Sequence, residues 1–224
     1  GNRVLANYQS DTHGGQGLYG GIFFGGVTNS RIGSSGGGRN IISGNYAGSI
    51  GIDNSSLTGA PSTNINIEDN YIGVMDNGIS PFSNYLLGLR VSGDSDYVLI
   101  KDNSIKNTTK LLNDTPGVFI DQLTHNVAVI NNSIYNNQGV GIKNDSFEAT
   151  GMPGYTQIVE DGGDTIVEYT INVPAGDYRI EFFKNTLADA SGPGEGETFV
   201  GFDEITTDGG GLERFSTSLS GVNL

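Results

Sequence analysis

The chain has 224 residues, among them 36 Gly, 23 Asn and 2 His, with no Cys and no Trp, and its 11 basic and 25 acidic residues give a formal charge of −14. Gly and Asn are poor helix formers, so the composition argues against a helical domain, and the missing Cys removes disulfides, thiolate zinc sites and thiol catalysis. The charge repels nucleic acid, and no apolar run is long enough to cross a membrane as a helix.

Composition changes near residue 150. Residues 1–150 hold 20 of the Asn and a net charge of −4, from 8 basic and 12 acidic residues; residues 151–224 hold 3 Asn and a net charge of −10. The shift predicts two domains, 1–150 and 151–224, joined by the breaker-rich stretch Glu148–Gly154. No signal peptide is visible, and Gly1 reads as the start of a fragment or a processed chain.

Two short words alternate along the first region. The first is small-apolar-x-apolar-charge: Gly21-Ile-Phe-Phe-Gly25, Ser49-Ile-Gly-Ile-Asp53, Leu86-Leu-Gly-Leu-Arg90, Gly117-Val-Phe-Ile-Asp121 and Gly139-Val-Gly-Ile-Lys143. The second is apolar-x-apolar-x-x-Asn, usually followed by x-Ile: Ile65 to Ile72, Val98 to Ile105 and Val127 to Ile134, with looser copies ending at Asn7 and Asn45. Both alternate with period two, which predicts strands with one buried face. Recurrence at ~20–40 residues without helices predicts stacked coils. The expected fold is all-β: a right-handed parallel β-helix of about five rungs.

In such a coil equivalent residues lie about 4.8 Å apart. The words predict one buried column of Ile22, Ile50, Leu87, Val118 and Val140, and a second of Phe24, Ile52, Leu89, Ile120 and Ile142. Ile67, Ile100 and Val129 form a third, with Ile42 beneath them. Asn7, Asn45, Asn70, Asn103 and Asn132 should form an amide ladder at a bend, each side chain donating to the next and each Asn tolerating left-handed backbone. Asp53, Arg90, Asp121 and Lys143 form an outward column of alternating sign, an ion-pair ladder.

From residue 155 the pattern becomes strands of ordinary length. Thr165–Val173, Tyr178–Phe183, Thr198–Thr206 and Glu213–Leu219 are separated by turns at Pro174–Asp177 and Asp208–Gly211 and a loop at Asn185–Glu197. This predicts a small antiparallel sandwich with a thin core, short of strands or completed by a neighbouring chain.

Gly38-Arg-Asn-Ile-Ile-Ser-Gly-Asn45, Asn70-Tyr-Ile-Gly73 and Asn132 to Ile142, together with Tyr178 to Thr186 and Gly192 to Gly201, resemble the repeat and sandwich words of large bacterial surface proteins. In that family right-handed β-helix repeats precede an Ig-like β-sandwich. The resemblance implies a secreted or surface-anchored bacterial protein and supplies no reaction.

Parallel β-helices also carry polysaccharide lyases and hydrolases. The acidic and basic words of polygalacturonase-like enzymes do not occur here, and the nearest acidic pair, Asp94 and Asp96, lies in a turn where carboxylates cap backbone. His13 and His125 show no metal-ligand spacing and read as loop residues. Asn107-Thr-Thr109 fits a glycosylation triplet, which Asn-rich chains produce by chance. Ca²⁺ is the expected cofactor if there is one. Its candidate ligand sets are Asp189, Glu195 and Glu197, or Glu160, Asp161 and Asp164, and the competing reading is soluble acidic loops. The expected function is a non-catalytic extracellular structural or adhesive module with carbohydrate as ligand. The alternatives are a self-assembling filament or matrix subunit and a polysaccharide-degrading enzyme.

Overall fold

The computed structural model describes residues 2–5, 21–46, 48–54, 58–109, 115–145, 153–187 and 195–222. Asn7, His13, Asp189 and most of the expected linker lie outside them. The chain divides into two compact units. One comprises Gly1–Ser146 with Asn185–Glu197, the other Phe147–Lys184 with Thr198–Leu224.

The first unit is a parallel β-solenoid of about four turns. Its strands are, in chain order, β1 (Arg3–Leu5), β2 (Ile22–Gly25), β3 (Thr28–Ile32), β4 (Ile41–Ser43), β5 (Ile50–Asp53), β6 (Thr63–Glu68) and β7 (Tyr71–Ile72). They continue with β8 (Leu89–Val91), β9 (Asp96–Lys101), β10 (Ser104–Lys106), β11 (Val118–Ile120), β12 (His125–Ile130), β13 (Ser133–Tyr135) and β14 (Ile142–Asn144). They stack into three parallel sheets: β1-β4-β7-β10-β13, β2-β5-β8-β11-β14 and β3-β6-β9-β12. The expected five rungs are the five strand layers of the first two sheets.

Two words therefore yield three sheets. The second word breaks in its middle, because Asp69, Asp102 and Asn131 take left-handed backbone (φ 54, 56 and 57) and turn the chain from the third sheet into the first. The left-handed residue precedes the ladder Asn rather than being it. Asp and Asn tolerate this region better than other side chains.

Register corrects the expected columns. Ile22, Ile50, Leu89, Val118 and Ile142 align, as do Phe24, Ile52, Val91, Ile120 and Asn144. The third and fifth layers sit two residues later than the words suggested. A shift of two keeps every side chain on its expected face. Ile32, not Ile42, lies beneath Ile67, Ile100 and Val129; Ile42 pairs with Ile72 in the first sheet, aligned with Ile105 and Ile134. All but Ile142 and Asn144 join one continuous core, most of them fully buried; in the last layer Ile142, expected in a buried column, is 46% exposed, and Asn144 is exposed too. A neighbouring layer covers what one coil alone would expose.

The glycines ahead of β8 and β11 are held small by their surroundings. A Cβ on Gly88 would lie 2.4 Å from the Gly117 carbonyl oxygen and 2.6 Å from Cγ2 of Ile105; one on Gly117 would lie 2.7 Å from Cγ2 of Ile134.

The second unit is an antiparallel sandwich. β15 (Gly154–Asp161), β16 (Asp164–Ile171) and β19 (Glu213–Leu219) form one sheet in the order β15-β16-β19, and β17 (Gly176–Lys184) pairs with β18 (Thr198–Thr207) in the other. Val167, Tyr169, Ile171, Ile205 and Leu219 are its buried core, with Tyr178, Ile180, Phe182, Val200 and Phe215 packed against them. β15 is a strand the sequence did not suggest, since its apolar residues do not alternate cleanly. All of it is exposed. Tyr155 and Ile158 pair with the core residues Tyr169 and Val167, yet they remain 75% and 44% exposed, because no described residue packs over that end of the sheet.

Candidate functional site

The Asn ladder exists with altered membership. Asn40 donates its side-chain amide to Oδ1 of Asn70 at 2.9 Å, Asn70 to Asn103 at 3.0 Å and Asn103 to Asn132 at 3.0 Å. Each acceptor oxygen also takes the backbone N–H of the preceding Asn. Asn45 belongs instead to a second ladder five residues on. It donates to Asn84 at 3.2 Å, Thr108 stands at the next level, and the Thr108 N–H donates to Oδ1 of Asn137. These amides are buried and mutually satisfied. They hold the bends and are closed to a ligand.

The outward charge column is also rearranged. Arg90 lies level with Gly51, Phe119 and Lys143, not with Asp53 or Asp121. Its guanidinium reaches diagonally to Asp121 at 3.1 Å, while Arg90 and Lys143 flank the Phe119 ring at 5.4 and 5.7 Å from its centroid. Cation–aromatic packing replaces the expected alternation of sign.

Of the expected metal ligands, Glu195, Glu197 and Asp164 accept backbone N–H groups, and Asp189 lies outside the described residues. The Glu195 carboxylate is buried and accepts the Asn137 N–H at 3.1 Å; the Glu197 carboxylate accepts the Thr186 N–H at 2.7 Å. That bond, with the more distant charge of Lys106, draws the Glu197 carboxyl below its usual range. Asp161 and Asp164 face each other across the Gly162-Gly163 hairpin turn, and Asp164 accepts the Gly221 N–H at 3.0 Å. Among the described residues no group of three or more His, Asp or Glu side chains gathers as a metal site would.

A different site appears on the third sheet. At its start one column of residues takes left-handed backbone: Asn29, Asn64, Tyr97 and Asn126, with φ of 51, 55, 52 and 48. They align through β3, β6, β9 and β12. All four are exposed. The kink interrupts alternation, so the neighbouring column of Thr28, Thr63, Asp96 and His125 also reaches solvent. His125 is thus a strand residue rather than a loop residue. The Asp96 carboxylate accepts the Tyr97 N–H at 2.9 Å and the Asn126 side-chain amide at 2.8 Å, and Asn64 donates to Asn29 at 2.6 Å.

Tyr97 is the odd member. Asn suits this backbone; an aromatic side chain adopts it at a cost of about 1–2 kcal/mol. Tyr97 is 63% exposed and so recovers little by burial. Backbone strain at an exposed aromatic flanked by amides is the kind of outlier that accompanies binding sites. The signal was in the sequence: Thr28-Asn29, Thr63-Asn64, Asp96-Tyr97 and His125-Asn126 all stand immediately ahead of the third-sheet core positions.

No protein-family model matches this chain, and no curated protein matches it.

Proposed function

We propose that the chain is a non-catalytic extracellular structural and adhesive module of a bacterial surface protein, with an Ig-like second unit and carbohydrate as its ligand. The observation that supports this most directly is the Tyr97 shelf. A phenol ring open on one face packs against the C–H face of a pyranose. Asn64 and Asn126 beside it, with Asp96 and His125 in the adjoining column, supply amide, carboxylate and imidazole groups for sugar hydroxyls. The charge of −14 favours neutral glycans over polyanionic ones. A glycan array probed with the intact chain tests the reading. Binding to neutral oligosaccharides that disappears in Tyr97→Asn is expected, and no binding to any glycan overturns it.

The second reading is a self-assembling matrix subunit, favoured by β15. Its apolar residues are open on both faces, and its outer backbone edge pairs with no described strand. Such an edge is a template for another chain. Sedimentation of the intact chain separates the readings. Concentration-dependent association that is lost when Val159 is replaced by Lys favours assembly, and a monomer at all concentrations removes it.

A further inference from the structure

The connection between β17 and β18 is far longer than the hairpin requires. Lys184 and Thr198 are already register partners, and a two-residue turn closes such a pair. The chain instead inserts thirteen residues, Asn185–Glu197, and Glu195–Glu197 at the end of the insertion bond to the solenoid.

The end of that insertion imitates a further coil. Within the solenoid each strand's N–H groups find carbonyls of the neighbouring layer, and each ladder Asn hands its N–H to an amide oxygen of the next. At the last layer the Ile134 N–H donates to the Gly196 carbonyl at 2.7 Å, in an antiparallel bridge. The Ser133 hydroxyl donates to the Glu197 carbonyl at 2.6 Å. Asn137 donates its N–H to the Glu195 carboxylate at 3.1 Å, where the preceding level, Thr108, uses the Asn137 amide oxygen. Glu195 thus stands in for the Asn of an absent layer. Asn185 holds the insertion's shape, its side chain donating to the Glu195 carbonyl and accepting the Glu197 N–H at 2.8 Å.

We infer that Glu195–Glu197, at the end of this insertion, form a blocking strap: they cover the β13 edge of the last solenoid layer so that a second copy of the chain cannot pair there. The occupant follows from the geometry. An uncovered last layer presents the same row of backbone donors and acceptors that every internal layer uses to hold another layer of this chain, and its antiparallel contact with Gly196 shows that the edge accepts a strand running the other way. Two copies meeting last layer to last layer would satisfy each other across a twofold axis.

The test is a full chain in which Asn185–Glu197 is replaced by Asn-Gly, which the Lys184–Thr198 register accommodates. Sedimentation should show a monomeric parent and an about twofold or greater rise in weight-average mass for the variant, the minimum for pairing two copies. Adding Ser133→Lys to that variant should restore the monomer, because a Lys on an edge strand opposes pairing. A strapless chain that stays monomeric, or one whose association survives Ser133→Lys, overturns the proposal. If the strapless chain does not fold, Glu195→Ala in the full chain takes its place. There the Asn137 amide should exchange about tenfold faster while Glu195→Gln, which keeps an acceptor oxygen, restores protection. Unchanged exchange in Glu195→Ala overturns the proposal as well.

Discussion

Asn103 gives both its backbone N–H and its side-chain amide to one atom, Oδ1 of Asn132, each at 3.0 Å. The same side-chain nitrogen also reaches the carbonyls of Ile67 at 2.8 Å and Lys101 at 3.0 Å. One amide therefore ties three layers together, and its removal leaves buried donors and acceptors on both sides. Asn103→Ala should lower unfolding free energy by about 3 kcal/mol, at the scale of several unpaired buried groups. Asn103→Asp should do no better at neutral pH, since a carboxylate would face two carbonyls and an amide oxygen. Denaturant midpoints of the two variants check this.

Gly88 offers a steric counterpart. Gly88→Ala forces a Cβ into the Gly117 carbonyl and should cost about 2–3 kcal/mol, as overpacked core positions do. Gly162→Ala, at a turn with nothing within 4 Å, meets no such wall and pays only for its left-handed φ of 63. Gly88→Ala should therefore be the more damaging in thermal unfolding.

Tyr97→Asn should separate stability from binding. It restores the residue that Asn64 and Asn126 use on either side, and should stabilise the solenoid by up to about 1 kcal/mol through relief of left-handed strain. Measured beside the loss of glycan binding, a gain in melting temperature would mark Tyr97 as retained for a purpose other than folding.

The second unit carries a pH signature. Burial first, and then the hydrogen bond to Asp203 at 2.8 Å, hold the Tyr169 phenol well above its usual 10.0. Ionisation is therefore harder in the folded state than in the unfolded one. The resulting stability is complete below pH 10 and declines as the pH rises above it toward the folded value. Tyr169→Phe should abolish that alkaline loss, at a cost of about 1–2 kcal/mol at neutral pH from the stranded Asp203. Stability curves measured from neutral to alkaline pH, with phenolate absorbance, report both.

Glu197 gives the opposite sign. Its carboxyl lies below the ordinary 4.5, so its contribution is present above that value and fades as pH falls through the lowered one. Protection of the Thr186 amide, its exchange rate relative to the intrinsic rate at the same pH, should fall on acidification in the parent and be independent of acid pH in Glu197→Gln.

Much of the solenoid was legible, because period-two words with buried Ile and Val determine which face is inside whatever the register. Register itself was misread where Leu86-Leu-Gly-Leu-Arg90 offers three leucines. Aligning the small residues Gly21, Ser49, Gly88, Gly117 and Gly141 would have set it, since sterics admit no larger side chain at Gly88 or Gly117. The ladder was right in kind and wrong at Asn45, because Asn40 and Asn45 lie five apart and both words can claim them. The shelf at Tyr97 was missed because an exposed column has no apolar period. The role of Glu195 depends on a contact 58 residues away, which no local pattern encodes.

The interleaving of the two units limits how such a protein can be taken apart. A single cut after Ser146 separates neither unit cleanly: it strips Glu195–Glu197 from the coils they bond and leaves them on the wrong fragment. Recombination that swapped one half for an unrelated partner would inherit a raw end. Anyone grafting these coils onto a new scaffold must transplant two stretches of chain, not one.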